Sequence, residues 1–179
     1  MISIRNYVAE DSKFVLEWLD SKEVFNNWSR GYITKYPLSD EEFNKFVFDK
    51  IDTSNAFCYI FLDEVKPIGF LIMEREISSY DDVRCSFILL DNKLRGKGYG
   101  KEMLKIALNH AFSYLDAERV CIGTLEDNLA AKGLYKSVGM SFYRKVENAV
   151  IIDGVSKALD YYEMTDGEMN KEGLFSYDV

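Results

Sequence analysis

The chain has 179 residues and a formal net charge of −8, with 47% hydrophobic and 15% aromatic residues. That is long enough for one domain with a substantial core and too apolar for disorder. The acidic balance disfavours a nucleic-acid backbone as the main partner and fits small cationic substrates better. No apolar run approaches the ~20 residues of a membrane span, and MISIRNYVAED lacks the layout of a secretory signal. Cys58, Cys85 and Cys121 stand singly in strand-like runs and read as buried free thiols of a cytoplasmic protein, with no zinc spacing. His110 is the one histidine. Its mid-helix place argues against a Ser-His or Cys-His pair, and a multi-histidine metal site is excluded.

In chain order, Ile2 to Val8 alternates and predicts a first strand. Asp11 opens a helix with Phe14, Val15, Trp18 and Leu19 on one face. Glu23 to Pro37 shows no clear period and is dense in aromatics (Phe25, Trp28, Tyr32, Tyr36). It reads as a loop, either folded over the core or forming a substrate wall. Ser39 to Glu42 is a capping box, and its helix is expected to bury Phe43, Phe46, Val47 and Ile51. Ala56 to Leu62 and Ile68 to Ile77 form a hairpin. Ser78 to Asp82 turns, and Val83 to Leu90 is a fourth strand.

The stretch after that strand carries the chemistry. Arg95-Gly96-Lys97-Gly98-Tyr99-Gly100 leads into a helix with apolar residues at Met103/Leu104, Ala107/Leu108, Ala111/Phe112 and Leu115, one continuous face. Strand, glycine loop and helix N-terminus together make an anion site, because glycines let backbone N–H groups converge and the helix dipole adds positive charge. Between Asp91 and Lys105, five basic residues oppose two acidic ones. A Walker loop does not fit, since Glu102 follows Gly100-Lys101, and a dinucleotide fingerprint fails at Lys101. Arg119 to Leu125 is a fifth strand. Asn128 caps a short helix with Ala131, Leu134, Tyr135 and Val138 on its apolar side, and Gly139 ends it in a left-handed conformation. Met140 to Val146 and Val155 to Met164 are the last strands, joined through Asp153-Gly154. Residues 1–165 read as one domain and residues 166–179 as a loose polar tail, apart from Leu174 and Phe175.

Arg95-x-x-Gly98-x-Gly100 resembles the acetyl-CoA motif of the GNAT superfamily of N-acetyltransferases, Gln/Arg-x-x-Gly-x-Gly/Ala. About 30 residues on, Asn128, Ala131, Tyr135, Gly139 and Met140 resemble the second motif, Asn-x-x-Ala-x-x-x-Tyr-x-x-x-Gly-Phe, with Met140 for the usual Phe. The order β-α-α-β-β-β-α-β-α-β-β is similar to that fold. Arg5, Asp11, Trp18 and Tyr36-Pro37 resemble the branch containing ribosomal-protein N-terminal and aminoglycoside 6′-acetyltransferases.

The resemblance implies an α/β (α+β) fold with a mostly antiparallel, twisted mixed sheet of about seven strands. About four helices flank it, and it splays after the fourth strand. It also implies acetyl-CoA as co-substrate and no metal. The pantetheine arm would lie in the splay and pair with the backbone of Ile88 and Leu90. The pyrophosphate would sit on the loop of Arg95, Gly96, Lys97, Gly98, Gly100 and Lys101. Asn128 would hold the pantetheine, and Tyr135 would protonate the departing thiolate, as a neutral phenol can at pH 7. Some members carry a glutamate base five residues before the asparagine, where this chain has Gly123. Glu74, Glu76, Glu126 or a water chain remain open as the base. The expected activity is direct acetyl transfer to a primary amine of a small molecule or a protein N-terminus, by a monomer or homodimer. A non-catalytic acyl-CoA-binding module is the alternative.

Overall fold

The computed structural model describes residues 1–76 and 79–171. Its strands are β1 (Ile2–Asn6), β2 (Ala56–Asp63), β3 (Lys66–Glu76), β4 (Ser79–Leu90), β5 (Arg119–Leu125), β6 (Ser141–Ile152) and β7 (Val155–Thr165). The helices are α1 (Ser12–Trp18), α2 (Lys22–Ser29), α3 (Asp40–Ser54), α4 (Tyr99–Tyr114), α5 (Leu129–Ser137) and α6 (Asp166–Lys171). The sheet order is β1-β2-β3-β4-β5-β7-β6. Neighbours run antiparallel except β4 and β5, which are parallel. This is the mixed, mostly antiparallel architecture expected from the motif order.

Period-two alternation sorts strand residues into two apolar layers. Tyr59, Phe61, Leu71 and Met73 face one layer with the apolar stripe of α4 and with Tyr135 and Val138. Cys58, Ile60, Phe70 and Ile72 face the other, with Val15, Trp28, Phe43 and Val47 from α1 to α3. The α4 stripe is buried as its spacing demands, from Met103 through Leu115.

One strand breaks the alternation. In β4, Val83 and Cys85 belong to the α4 layer, but Phe87 and Leu89 belong to the α1–α3 layer. The register against β3 jumps between Phe70–Leu89 and Ile72–Ser86, so two β4 residues oppose one on β3. Phe87 takes a left-handed φ of 52°. This is a β-bulge, and its extra residue reverses which face each later side chain meets. The Trp28 indole N–H donates to the Phe87 carbonyl at 2.8 Å, and the Trp28 and Phe46 rings pack edge-on to Phe87 at 5.1 and 4.9 Å.

Several elements differ from the sequence expectation. The aromatic stretch is not all loop, because its first part is helix α2. Ser21 caps it by accepting from Val24 N, and Arg30 ends it at φ 51°. Eight residues are too few to reveal a period. Within it Phe25 and Trp28 are core, while Tyr32 is exposed. Ile51 lies on the outer side of α3. β4 starts at Ser79, earlier than expected. Ile77 and Ser78, the ends of the expected strand and turn, fall outside the described residues. β6 extends to Ile152 through an irregularity around Asn148. The tail begins as α6 because Glu168 accepts from both Thr165 N and Oγ1 and Met169 is buried. The rest of the expected tail, with Leu174 and Phe175, lies outside the described residues. The Ser39–Glu42 capping box and the Asp153-Gly154 turn are present as read.

Trp28→Phe keeps an aromatic ring and removes the donor to the bulge. The orphaned Phe87 carbonyl should cost about 1–3 kcal/mol. Urea unfolding should therefore show a lower midpoint at unchanged m-value. An unchanged midpoint would mean that the indole bond does not hold the bulge.

Candidate active site

The parallel pairing of β4 and β5 runs only from Asp82–Arg119 to Cys85–Ile122. Past Cys85 the bulge turns β4 away, and a cleft of about 600 Å³ opens between the strands. Among its walls are Ser86, Phe87, Ile88, Leu89 and Leu90 on β4 and Ile122, Gly123 and Thr124 on β5. Glu23, Asn27, Trp28 and Arg30 close one side, and Asn128, Ala131, Leu134 and Tyr135 the other. Of the residues singled out in the sequence, Ile88, Leu90, Arg95, Gly96, Gly98, Gly100, Lys101, Asn128 and Tyr135 line this cleft. Lys97 does not.

At one end stands the glycine loop. A 3-10 turn, Asn92–Leu94, is fixed by Asp91 accepting from Lys93 N at 2.9 Å. Gly96 and Gly98 then take φ of 74° and 88°, and a Cβ at either would meet nothing within 4 Å. Gly98 is the N-cap of α4. N–H groups at the start of a helix have no acceptor one turn back, and here those of Lys101 and Glu102 turn to the Gly98 carbonyl at 3.0 and 3.3 Å. Lys93 pairs with Glu17 and Lys105 with Glu102. No carboxylate pairs with Arg95, Lys97 or Lys101 among the described residues. An open glycine cradle, a helix N-terminus and unpaired cations at the mouth of a long cleft fit a diphosphate with an extended arm.

Asn128 caps α5 through Oδ1, which accepts from Ala131 N at 3.1 Å. The capping role is thus real, and the same side chain also lines the cleft. Tyr135 sits one helical face further on, 5% exposed, with its ring edge-on to Tyr162. Burial pushes its hydroxyl up to about 12, against the opposing pull of Arg30 and of a hydrogen bond with Thr124. The phenol therefore stays protonated well above neutral pH.

The carboxylates considered as base are placed differently. Glu74 is buried on the α1–α3 face, bound to Lys50 at 2.6 Å and Arg84 at 3.4 Å, and does not line the cleft. It reaches the cleft only through Ser86, whose Oγ donates to it at 3.4 Å. Glu126 pairs with Lys145, which holds it below the usual carboxylate range, and it too stands off the cleft. The Glu76 side chain lies outside the described residues. The cysteines are free and buried. Burial raises Cys85 to about 12, which makes it a poor nucleophile. His110, half-buried, shares a 2.9 Å bond with Tyr59, and burial lowers its pKa. No group of side chains suited to a metal ion occurs among the described residues. No helix among them is long and apolar enough to cross a membrane.

The sequence did not single out Arg30, Phe87 or Thr124 as site residues. Arg30 and Phe87 have left-handed backbones that no spacing rule announces, and Thr124 is one residue of an apolar strand.

A family model described as an acetyltransferase (GNAT) domain matches residues 2–141. The chain belongs to this GNAT family. Spermine/spermidine N(1)-acetyltransferase of Bacillus subtilis (strain 168) is 34% identical over 53 residues, 30% of this chain and 35% of that protein. The match therefore spans about a third of that relative. Spermidine N-acetyltransferase from Vibrio cholerae, solved with CoA and spermine, superposes with a TM-score of 0.79 at 16% identity, covering 94% of this chain and 98% of that one. A chimera built on the Vibrio enzyme gives 0.76 at 16% identity over 96% and 97%. These named relatives are polyamine acetyltransferases, not the ribosomal-protein or aminoglycoside branch suggested by the first 37 residues.

Gly98→Val should weaken acetyl-CoA binding more than tenfold. The left-handed φ strains a branched residue by roughly 1–2 kcal/mol, and its bulk enters the cradle. Lys97→Ala, a single solvated charge outside the cleft, should cost only about 0.3–1 kcal/mol. Calorimetric titration checks both, and near-wild-type affinity in Gly98→Val would remove the loop from the binding site.

Proposed function

We propose that this protein is an acetyl-CoA-dependent N-acetyltransferase acting by direct transfer on a primary amine of a small molecule. The observation that carries this reading is the cleft itself, with the glycine cradle at one end and buried, neutral Tyr135 inside it. Membership of the GNAT family and the CoA bound to the Vibrio relative support it.

Bound in the cleft, acetyl-CoA supplies a thioester as acyl donor. The N–H groups of Gly96, Lys97, Gly98 and Gly100 hold the diphosphate, with Arg95 and Lys101 adding charge at the mouth. The free backbone edge of β4 at Ile88 and Leu90 pairs with the pantetheine amides, as a neighbouring strand would. Asn128, with Oδ1 committed to its cap, offers its amide N–H₂ to the same arm. Backbone N–H beside the bulge polarises the thioester carbonyl. The amine, having lost its ammonium proton to water or to the Ser86–Glu74 pair, attacks that carbonyl. The new N–C bond forms, the C–S bond breaks, and Tyr135 gives its proton to the sulfur. The acylated nitrogen sheds its extra proton to solvent, and solvent returns one to the phenol.

The acceptor is read here only as a small primary amine. Polyamines are the first amines to test, because the named relatives act on them. A panel of polyamines, amino acids, aminoglycosides and N-terminal peptides, scored by release of free CoA thiol, tests the function. Acetyl-CoA binding without thiol release for any amine would favour a non-catalytic acyl-CoA-binding role.

Tyr135→Phe keeps the ring and deletes the proton. Loss of a general acid costs about 10²–10⁴ in rate, so kcat should fall by that factor with acetyl-CoA affinity nearly unchanged. With burial pushing the phenol up to about 12, wild-type kcat should show no alkaline fall from this group up to about pH 10. A wild-type rate in Tyr135→Phe would assign the proton to water or another residue.

A further inference from the structure

Arg30 is the least explained side chain in the cleft. It is only 6% exposed, yet no carboxylate pairs with it among the described residues. The partly buried cations Lys50 and Lys132 have acidic partners, Glu74 and Asp160. The one hydrogen bond its side chain makes among the described residues is from Nη1 to the Gly123 carbonyl at 2.9 Å. A guanidinium carries five donors, so most remain for something else. Desolvating an unpaired charge is expensive, and the surroundings do not relax it away. They grip it. Its guanidinium carbon lies 5.8 Å from the Tyr32 ring centroid and 5.9 Å from that of Phe87. A Cβ on Gly123 would come within 3.0 Å of Nη1, so the glycine is what makes room.

Direction matters as much as burial. The cradle and Tyr135 belong to the α4 and α5 side of the sheet, while Arg30 enters at the end of α2, from the opposite layer. It therefore meets the cleft from the side an acceptor must use if the arm of acetyl-CoA comes through the splay.

Resting on the acetyltransferase reading, we propose that Arg30 recognises a carboxylate on the acceptor, and that the acceptor is a small amine carrying that carboxylate within a few bonds of its nitrogen, such as an amino acid. A planar guanidinium matches a carboxylate in a two-bond fork. A polyamine fits this position poorly, because each of its remaining nitrogens brings a positive charge towards one already buried. Glu23, exposed on the same cleft wall and without a cationic partner among the described residues, suits the ammonium form of the arriving amine. The chain's overall acidity alone suggests a purely cationic acceptor, whereas the cleft wall carries one group of each sign.

The test uses matched acceptors with the intact protein: lysine against cadaverine, phenylalanine against phenethylamine, and spermidine beside them. Thiol release gives kcat and KM, and calorimetry with CoA present gives acceptor affinity without turnover. Wild type should favour each carboxylate-bearing member by about ten- to a hundredfold in kcat/KM, the size of a charge-assisted hydrogen-bond pair. Arg30→Met should collapse that ratio towards one through KM, and Arg30→Lys should retain part of it. Preference of the wild type for the decarboxylated amines or spermidine overturns the proposal without needing any variant. An equal fall in kcat for both members of a pair in Arg30→Met also overturns it, since that assigns Arg30 to the departing thiolate. Absence of thiol release from every amine defeats the acetyltransferase reading instead, and the calorimetric preference then decides the role of Arg30 separately.

Discussion

The hydrogen bond from the Trp28 indole to the Phe87 carbonyl is the contact on which the site depends. A phenylalanine held at positive φ costs about 1–2 kcal/mol, and the strand would relieve that strain by becoming regular. Regular pairing would carry β4 along β5 past Cys85 and close the cleft. Instead the indole takes the displaced carbonyl, and Trp28 and Phe46 pack the ring into the α1–α3 layer. The extra residue moves Ile88 and Leu90 to the α4 side and frees a backbone edge in the middle of the sheet. One interaction between α2 and β4 thus sets the side-chain facing of the strand and the width of the gap beside it.

Charge is arranged by position in this protein, not by total. Around the acceptor side most acids are already spoken for: Asp153 by Lys22, Asp127 by Lys157 and Glu74 by Lys50. Among the described residues, the cleft's own cations, Arg95 and Lys101 at the glycine loop and Arg30 on the opposite wall, have no acidic partner. A net charge of −8 therefore says little about what the cleft attracts. Exposed charges on the outside are screened by salt within a Debye length, whereas Arg30 is nearly buried and screened much less.

The legibility of the sequence follows the range of the physics behind each feature. The α4 stripe, the Ser39 cap, the Asp153-Gly154 turn and the glycine loop are encoded within a few residues and could be read directly. The same holds for Asn128 and Tyr135, whose shared face comes from spacings of three and four. The bulge could not be read, because Cys85 to Leu90 is apolar almost throughout and a reversal of facing leaves no trace in such a run. Helix α2 was hidden by its shortness, and with it Arg30. That residue looks like an ordinary solvated charge until β5 is seen to run beneath it. Glu74 was legible as a strand glutamate, but its pairing with Lys50 and Arg84 and its link to the cleft through Ser86 come from tertiary packing that no local spacing announces.

Gly123 leaves a narrower choice than an empty position suggests. Some GNAT proteins place a glutamate there, but in this chain any side chain at 123 would meet both Arg30 and the Tyr161 ring, at 3.0 and 2.9 Å from its first carbon. For such a side chain to fit, the flexible end of Arg30 and the edge of the Tyr161 ring would both have to give way. The two positions stand 93 residues apart in the chain yet share one small volume, so what one carries sets the room left for the other. Residues 30 and 123 should therefore vary together among relatives.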